Sequence, residues 1–403
     1  MSNFSKRWLL CASMIVVGLI AIAAIGLIRL DRSRKFMTAR FDASVNVPAA
    51  DFNQDIDRGT FAGDTSAPDF QLVDQAGRET SLAQYRGKVV LIAFVDSQCT
   101  TICPLTTESM VEALRLLGPA AADVQLLGIN ANPLAVKVSD VAAYTQVHRM
   151  QGKWRFLTGS LPQLEKVWRD YHVYVSAINN NIDHQPAMVL IDPLGREHEV
   201  YLTQMSYEGV APQAQILADD IAKLVRGQPA AAQRFALDYV PPLSPNAAPQ
   251  QMPVANRERS ISVGGPDAQL LLFFASWLDQ SSHVAAKLRD LDHFAAGARR
   301  NGWPSPIAVD ELTTEASAAS AQKMLAQLSR AIRTPIVEDA DGRLGDGYQV
   351  QDLPWYSLRS SGGKIIGSHD GWLSSTELRH EVSAALAKSA PRERTEAITR
   401  RRP

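Results

Sequence analysis

Cysteine is scarce in this chain of 403 residues, with three in all: Cys11, Cys99 and Cys103. So few exclude a disulfide-rich scaffold and a two-site zinc ribbon. An excess of one charge is also missing, with 41 Lys+Arg against 42 Asp+Glu. That balance argues against a dedicated nucleic-acid binder, which carries a basic surplus. What is present is ordinary for a globular protein: 46% hydrophobic and 21% charged residues, which excludes wholesale disorder. The length fits two domains. Cys11 lies far from the other two cysteines, so any sulfur chemistry rests on Cys99 and Cys103.

Trp8 to Ile28 carries no charge. As a helix this run would be roughly 31 Å long, enough to cross the hydrocarbon core of a bilayer. It is longer than the apolar core of a cleavable signal and runs directly into Arg29, so an uncleaved anchor over 8–28 is expected. Cys11 reads as an apolar residue of that helix. Lys6 and Arg7 precede the run, and Arg29, Arg32, Arg34 and Lys35 follow it. By the positive-inside rule alone the body would face the cytoplasm, a reading that the chemistry below opposes.

A polar stalk is expected over 29–60. From Ala67 the pattern is that of an α/β domain: a hairpin around Gly77, buried strands at Lys88–Val95, Val124–Ile129 and Ala187–Ile191, and helices at Leu105–Leu117, Ser139–Met150, Leu161–His172 and Gln213–Val225. Pro241–Pro253 holds five prolines, and an extended linker is expected over 229–259. A second α/β series follows, with strands at Gln269–Ala275 and Pro306–Val309 and helices at Ser281–Arg300, Glu315–Ala331 and Thr376–Ala387. A basic tail over 389–403 ends the chain, either solvated or in contact with anionic lipid.

Cys99 and Cys103 lie in C-x-x-x-C-P, between a buried strand and a helix. Proline favours the first helical turn, so Pro104 sets Cys103 at the helix N-terminus, where free amides and the helix dipole favour thiolates. Spacing by four puts both sulfurs on one side of the turn. Two such thiolates suit a soft metal ion or reversible oxidation to a disulfide. A purely structural disulfide closing so short a loop would add little stability. His184, in an Asn-rich loop just before a buried strand, is the candidate third ligand. Two thiolates and an imidazole favour Cu(I) and Cu(II), with Zn(II) chemically possible. His148, His172, His198, His283, His293, His369 and His380 lack such a context and read as structural or exposed.

The segments APDFQL, CTTICP, WRFLTG and IDHQPAMVLIDPLGR resemble the Sco/SenC family of copper-binding, thioredoxin-like assembly proteins, over about residues 67–226. The resemblance implies a membrane tether and copper ligands at Cys99, Cys103 and His184. It also implies a role at the binuclear copper site of cytochrome c oxidase, by delivering copper or by reducing the client's cysteines. Two features depart from the usual pattern: Thr100-Thr101-Ile102, where an acidic residue is common, and Asn130-Ala131-Asn132-Pro133, in place of Val-Asp-Pro. Both bear on the choice of client. A thiol–disulfide oxidoreductase using Cys99 and Cys103 as its redox pair is the alternative. A peroxiredoxin is a weaker one, because Asp96 stands where its proline would be.

LLLFFASWLDQSS (Leu270–Ser282) resembles the active-site segment of TlpA-type thioredoxin-like proteins, with Leu278 and Ser281 in place of the two cysteines. Pro354 corresponds to that family's cis-proline. This second domain cannot exchange thiols, and its former active-site surface is expected to hold a protein partner or to pack on the first domain. The whole is read as two thioredoxin-like α/β/α domains, 61–228 and 260–388, behind the transmembrane helix. The copper-site subunit of an oxidase or a similar copper protein is the expected client, and no nucleic acid is expected. Disulfide chemistry and oxidase copper sites both belong outside the cytosol. The expected location is therefore the cell membrane, single-pass, with the body extracytoplasmic.

Overall fold

The structure is a computed structural model that describes residues 56–179, 181–225, 242–255, 257–279, 283–315 and 318–389. The anchor expected over 8–28, the stalk up to residue 55 and the tail from residue 390 lie outside the described residues. Among the described residues no helix is long and apolar enough to cross a membrane.

The first module runs through β1 (Thr60–Ser66), β2 (Gln71–Val73), β3 (Glu79–Ser81), β4 (Val89–Val95), α1 (Ile102–Leu117), β5 (Val124–Asn130), α2 (Val138–Val147), β6 (Trp154–Leu157), α3 (Leu161–Asp170), β7 (Val175–Ile178), β8 (Asn181–His184), β9 (Ala187–Ile191), β10 (Arg196–Leu202) and α4 (Val210–Leu224). Its six-stranded sheet has the order β1-β10-β9-β4-β5-β6. Strands β4, β5 and β6 are parallel, and β9 and β10 return antiparallel.

Strand β4 is buried along its whole length because both sheet faces are covered. Its residues alternate between them, as a two-residue period requires. Val89, Leu91, Ala93 and Val95 pack with Met110 and Ala113 of α1 and Leu217 and Ile221 of α4. Val90, Ile92 and Phe94 pack with Leu164, Val167 and Trp168 of α3 on the other face. This two-sided burial leaves the C-terminal end of β4 as the place where the chain emerges, carrying Asp96 to Cys103.

The second module comprises β11 (Gln250–Pro253), β12 (Ser260–Val263), β13 (Gln269–Phe274), α5 (Val284–Ala298), β14 (Pro306–Glu311), α6 (Ala318–Ala331), β15 (Ile336–Asp339), α7 (Arg343–Gly347), β16 (Trp355–Arg359), β17 (Ile365–Asp370) and α8 (Ser375–Ser389). Its sheet order is β15-β14-β13-β16-β17. The first three strands are parallel, with β16 and β17 antiparallel. This repeats the order and directions of β6-β5-β4-β9-β10 in the first sheet.

Several boundaries differ from the sequence reading. α2 is capped at Lys137, where the Asp140 carboxylate accepts the Lys137 N–H at 2.9 Å, and not at Ser139. Strands β1, β6, β10 and β15 and the β7–β8 hairpin were not expected. They are short, or too polar to show a buried-strand pattern, and sheet pairing stabilises them rather than local propensity. From residue 242 the stretch expected as a linker over 229–259 is built into the second module. The Leu243 N–H donates to the Arg343 carbonyl at 2.9 Å and Ala255 N–H to Ile336 at 2.8 Å, and Gln250–Pro253 pairs with Ser260–Val263. Prolines lack the N–H but keep the carbonyl, and the buried Arg359 guanidinium uses it, donating to Pro245 O at 2.9 Å and to the carbonyls of Gly265 and Asp267.

The second module's apolar core takes in residues of the first module. Leu105 of α1, Tyr207 and Val210 are buried within the core of the second sheet, and Val147 and Met205 pack against it. The Asp346 carboxylate at α7 accepts from Ser206 Oγ (2.8 Å), Tyr207 N–H (2.8 Å) and Glu208 N–H (3.1 Å). Trp277 lies 4.8 Å from the ring of His148, centroid to centroid. Ser276, Trp277 and Leu278, which follow β13, are all buried.

Candidate metal centre

Cys99, Cys103 and His184 come from three local structures. Cys99 ends the turn after β4, where its N–H donates to the Asp96 carbonyl at 3.2 Å. Cys103 is the second residue of α1 and is 1% exposed. His184 closes the β7–β8 hairpin, opposite Val175. The hairpin turns the chain back toward the first sheet, and β9 follows directly.

The contacts run in sequence. The Cys103 N–H, one of the free amides of the first helical turn, donates to Cys99 Sγ at 3.4 Å. Cys103 Sγ lies 3.7 Å from His184 Nε2. His184 Nδ1 is 3.2 Å from the carbonyl of Gln185. A carbonyl only accepts, so Nδ1 carries the proton and the Nε2 lone pair faces the Cys103 sulfur. Both cysteines are free thiols. Among the described residues no group of three or more His, Cys, Asp and Glu side chains is drawn into a closed metal-holding cluster. Cys99, Cys103 and His184 form a chain of contacts.

The electrostatics correct one expectation. The sequence suggested two thiols of lowered pKa, but the structure divides them. Cys99 is held below its ordinary value, first by a hydrogen bond from the Cys103 thiol, then by the Thr101 hydroxyl and the amides of Cys103 and Thr101, against the opposing effect of burial. The Thr101 hydroxyl is 3.2 Å from the Cys99 sulfur. Cys103 is pushed well above its ordinary value, chiefly by burial and further by the neighbouring Cys99 and Asp96. The free helix amide thus serves Cys99, four residues upstream, and Cys103 donates. Burial lowers the pKa of His184, which keeps the imidazole neutral and ready to ligate.

Supporting residues missed in the sequence surround this chain. Asp96 is buried and its carboxylate accepts from Gln98 N–H (2.8 Å) and Asn132 Nδ2 (2.7 Å), fixing the turn that leads to Cys99. Asn132 belongs to the Asn130-Ala131-Asn132-Pro133 departure, so that change reaches the cysteine loop through Asp96. In the second module, burial raises the pKa of Asp352, against the opposing effect of the Thr100 side chain, between the two cysteines, and of the Leu353 amide. Asp352 stands two residues before Pro354, whose peptide bond with Leu353 is cis as the sequence suggested. No sequence signal connects Asp352 to Thr100, which lie 252 positions apart. Of the other histidines, His148 is 3% exposed and packs its ring at a tilt against Tyr144 as well as Trp277. Burial takes its pKa down to about 3, so it is a neutral packing residue.

Comparison with known proteins bears on residues 59–226, which match the family model described as SCO1/SenC. The bovine protein "Protein SCO2 homolog, mitochondrial" is 36% identical over 152 residues, covering 35% of this chain and 56% of that protein. The "SCO1 protein homolog" of Bacillus subtilis is 26% identical over 132 residues, covering 32% of this chain and 68% of that protein. The chain thus spans little more than half the length of the mammalian relative. A solved structure of Arabidopsis thaliana ScoI with copper bound is 23% identical, covering 40% of this chain and 99% of that one, at a TM-score of 0.35. Residues 59–226, the first module with its cysteine pair and histidine, are thus similar to proteins of the SCO1/SenC family.

Proposed function

We propose that this chain is a membrane-anchored copper carrier that loads the binuclear copper site of a cytochrome c oxidase. The observation that carries the reading is the 3.7 Å approach of Cys103 Sγ to His184 Nε2, with the other ring nitrogen turned to a carbonyl. Two ligands of one trigonal ion span that distance when ion–sulfur is about 2.3 Å and ion–nitrogen about 2.0 Å. Cys99, joined to Cys103 through the 3.4 Å amide contact, supplies the third donor. Two thiolates and a neutral imidazole are a soft donor set that selects copper in its cuprous state and accepts it in its cupric state. Copper is the cargo. A client presenting its own thiolates takes the ion by stepwise ligand exchange, and the partly buried Cys99, less enclosed than Cys103, is the ligand more open to that attack.

The anchor over 8–28 holds the protein at the membrane, with both modules on the extracytoplasmic side where oxidase copper sites lie. The second module is a thioredoxin-like domain without thiols, in keeping with its repeat of the first sheet's strand order. A second reading is supported by the split between the two thiols: a lowered Cys99 and a protonated Cys103 suit a disulfide exchange in which Cys99 attacks and Cys103 resolves.

Copper titration of the full chain tests the first reading. Stoichiometric binding is expected, lost in Cys99→Ser and Cys103→Ser and weakened in His184→Ala. Binding indifferent to all three substitutions refutes it, and turnover of a disulfide client without copper favours the second. Protease added to intact spheroplasts tests the topology, which a protected body refutes.

A further inference from the structure

Strands β4 and β5 run parallel with Val95 opposite Asn130, so both hand on their loops at the same end of the sheet. The loop after β4, residues 96–101, carries Cys99, and the loop after β5 spans residues 131–137. Pairing continues one residue past the strands, where the Ala131 N–H donates to the Val95 carbonyl at 2.8 Å. Beyond that point two side-chain contacts join the loops. Ser97 Oγ donates to the Ala135 carbonyl at 3.4 Å, and Asn132 Nδ2 donates to Asp96 Oδ1 at 2.7 Å.

Asn132 is 1% exposed and uses both ends of its amide. Its Oδ1 accepts the N–H of Leu134 at 2.8 Å and of Ala135 at 3.1 Å. Backbone amides only donate, so the oxygen faces them and the nitrogen faces Asp96. Asn130, also buried, fixes this loop from the strand side. Its Oδ1 accepts the Asn132 N–H at 3.2 Å, and its Nδ2 donates to the Ala135 carbonyl at 2.7 Å. Asp96 Oδ1 also accepts the Gln98 N–H at 2.8 Å, and the Asp96 carbonyl accepts the Cys99 N–H at 3.2 Å. Asp96 thus ties a fully hydrogen-bonded loop to the turn that presents the Cys99 sulfur.

The two residue types are matched. Position 132 needs an acceptor on one side and a donor on the other, away from water. A carboxylate there would satisfy the amides but set a second acid against Asp96, and buried acids so close cannot both ionise. A serine there would still accept from the loop amides, as in an ST-turn, but would fall short of Asp96.

We propose that Asn132 is a positioning residue for Cys99: acting through Asp96, its amide fixes the turn over 96–99 and so sets where the Cys99 sulfur stands relative to Cys103 and His184. The proposal rests on the cysteine pair being the working site, whichever metal or disulfide it handles.

The test uses the full chain, metal-free, in buffers of reduced and oxidised glutathione. Forming the Cys99–Cys103 disulfide passes two electrons and two protons to one oxidised glutathione, which leaves as two reduced molecules. The disulfide fraction, read by alkylation and mass spectrometry, gives the equilibrium constant. Asn132→Asp and the milder Asn132→Ser should each lower it by at least about fivefold, the size of one lost hydrogen bond, because a loosened turn must be ordered again to close the disulfide. The exchange variant Asp96→Asn/Asn132→Asp puts the amide at 96 and the carboxylate at 132, and should return it to within about threefold of wild type. An unchanged constant in both single variants, or an exchange variant no better than Asn132→Asp, overturns the proposal. Copper titration of the same proteins separates the two ideas. A shifted and rescued constant in a chain that binds no copper leaves the positioning role standing and removes the carrier function; copper binding with unshifted constants does the reverse.

Discussion

Glu108 offers a quantitative test of how the two modules are joined. It lies in α1, is buried, and has one carboxyl oxygen, Oε1, without a hydrogen-bond partner. Burial raises its pKa from 4.5 to about 8; Lys153 opposes this, while Glu315 of the second module and Glu112 add to it. Below about pH 4.5 the carboxyl is protonated folded or unfolded, and its contribution to stability is complete. Between there and about pH 8 the unfolded chain releases the proton while the folded chain keeps it, so stability falls as pH rises. At ~1.4 kcal/mol per tenfold change, the window corresponds to at most about 5 kcal/mol. Glu108→Gln replaces the carboxyl by a neutral group of the same shape and removes this slope. Urea denaturation followed by tryptophan fluorescence should find the variant within about 1 kcal/mol of wild type at pH 4.5 and about 2–5 kcal/mol more stable at pH 9. Parallel stability curves for the two proteins across this range would refute the argument, because they would mean that Glu108 ionises in the folded state at its ordinary pH.

Other outcomes follow from single contacts. In the reduced protein iodoacetamide should modify Cys99 before Cys103, with a rate that rises at a pH below that of an ordinary thiol, because Cys99 is lowered and Cys103 raised and buried; equal labelling of both by mass spectrometry contradicts this. Asp346→Ala leaves three donors of the Ser206–Glu208 turn without their carboxylate, and should lower stability by about 2–4 kcal/mol in chemical denaturation. Gly345→Ala would bring a Cβ to 2.6 Å from Glu311 Oε2 and 3.0 Å from the Tyr207 ring; a loss of about 1–3 kcal/mol is expected, and a neutral result would mean that the modules separate readily there.

Much of the first module was legible because its signals are local. The apolar run Val89–Val95 is long, β-branched and buried on both faces, and its strand was read to within one residue. Ala187–Ile191 was read without error for the same reason. C-x-x-x-C-P marks a strand-to-helix junction by its own chemistry. Strands such as Arg196–Leu202 stayed hidden, since REHEVYL has no buried-strand run and is held by pairing with partners on both sides. The linker was misjudged from residue 242 because proline content reports a missing donor and says nothing of what the carbonyls can accept.

The sequence by itself determined the two α/β modules, the C-x-x-x-C-P junction that pairs Cys99 with Cys103, and the absence of thiols from the second module, since each depends on residue type and local pattern; His184 was a candidate third donor from its place before a buried strand. Tertiary structure alone decided which cysteine has its pKa lowered and which raised, and which histidine nitrogen faces the sulfur. These depend on burial and on contacts between segments distant in the chain. A helix N-terminus predicts a favourable amide, but only the fold determines which sulfur receives it.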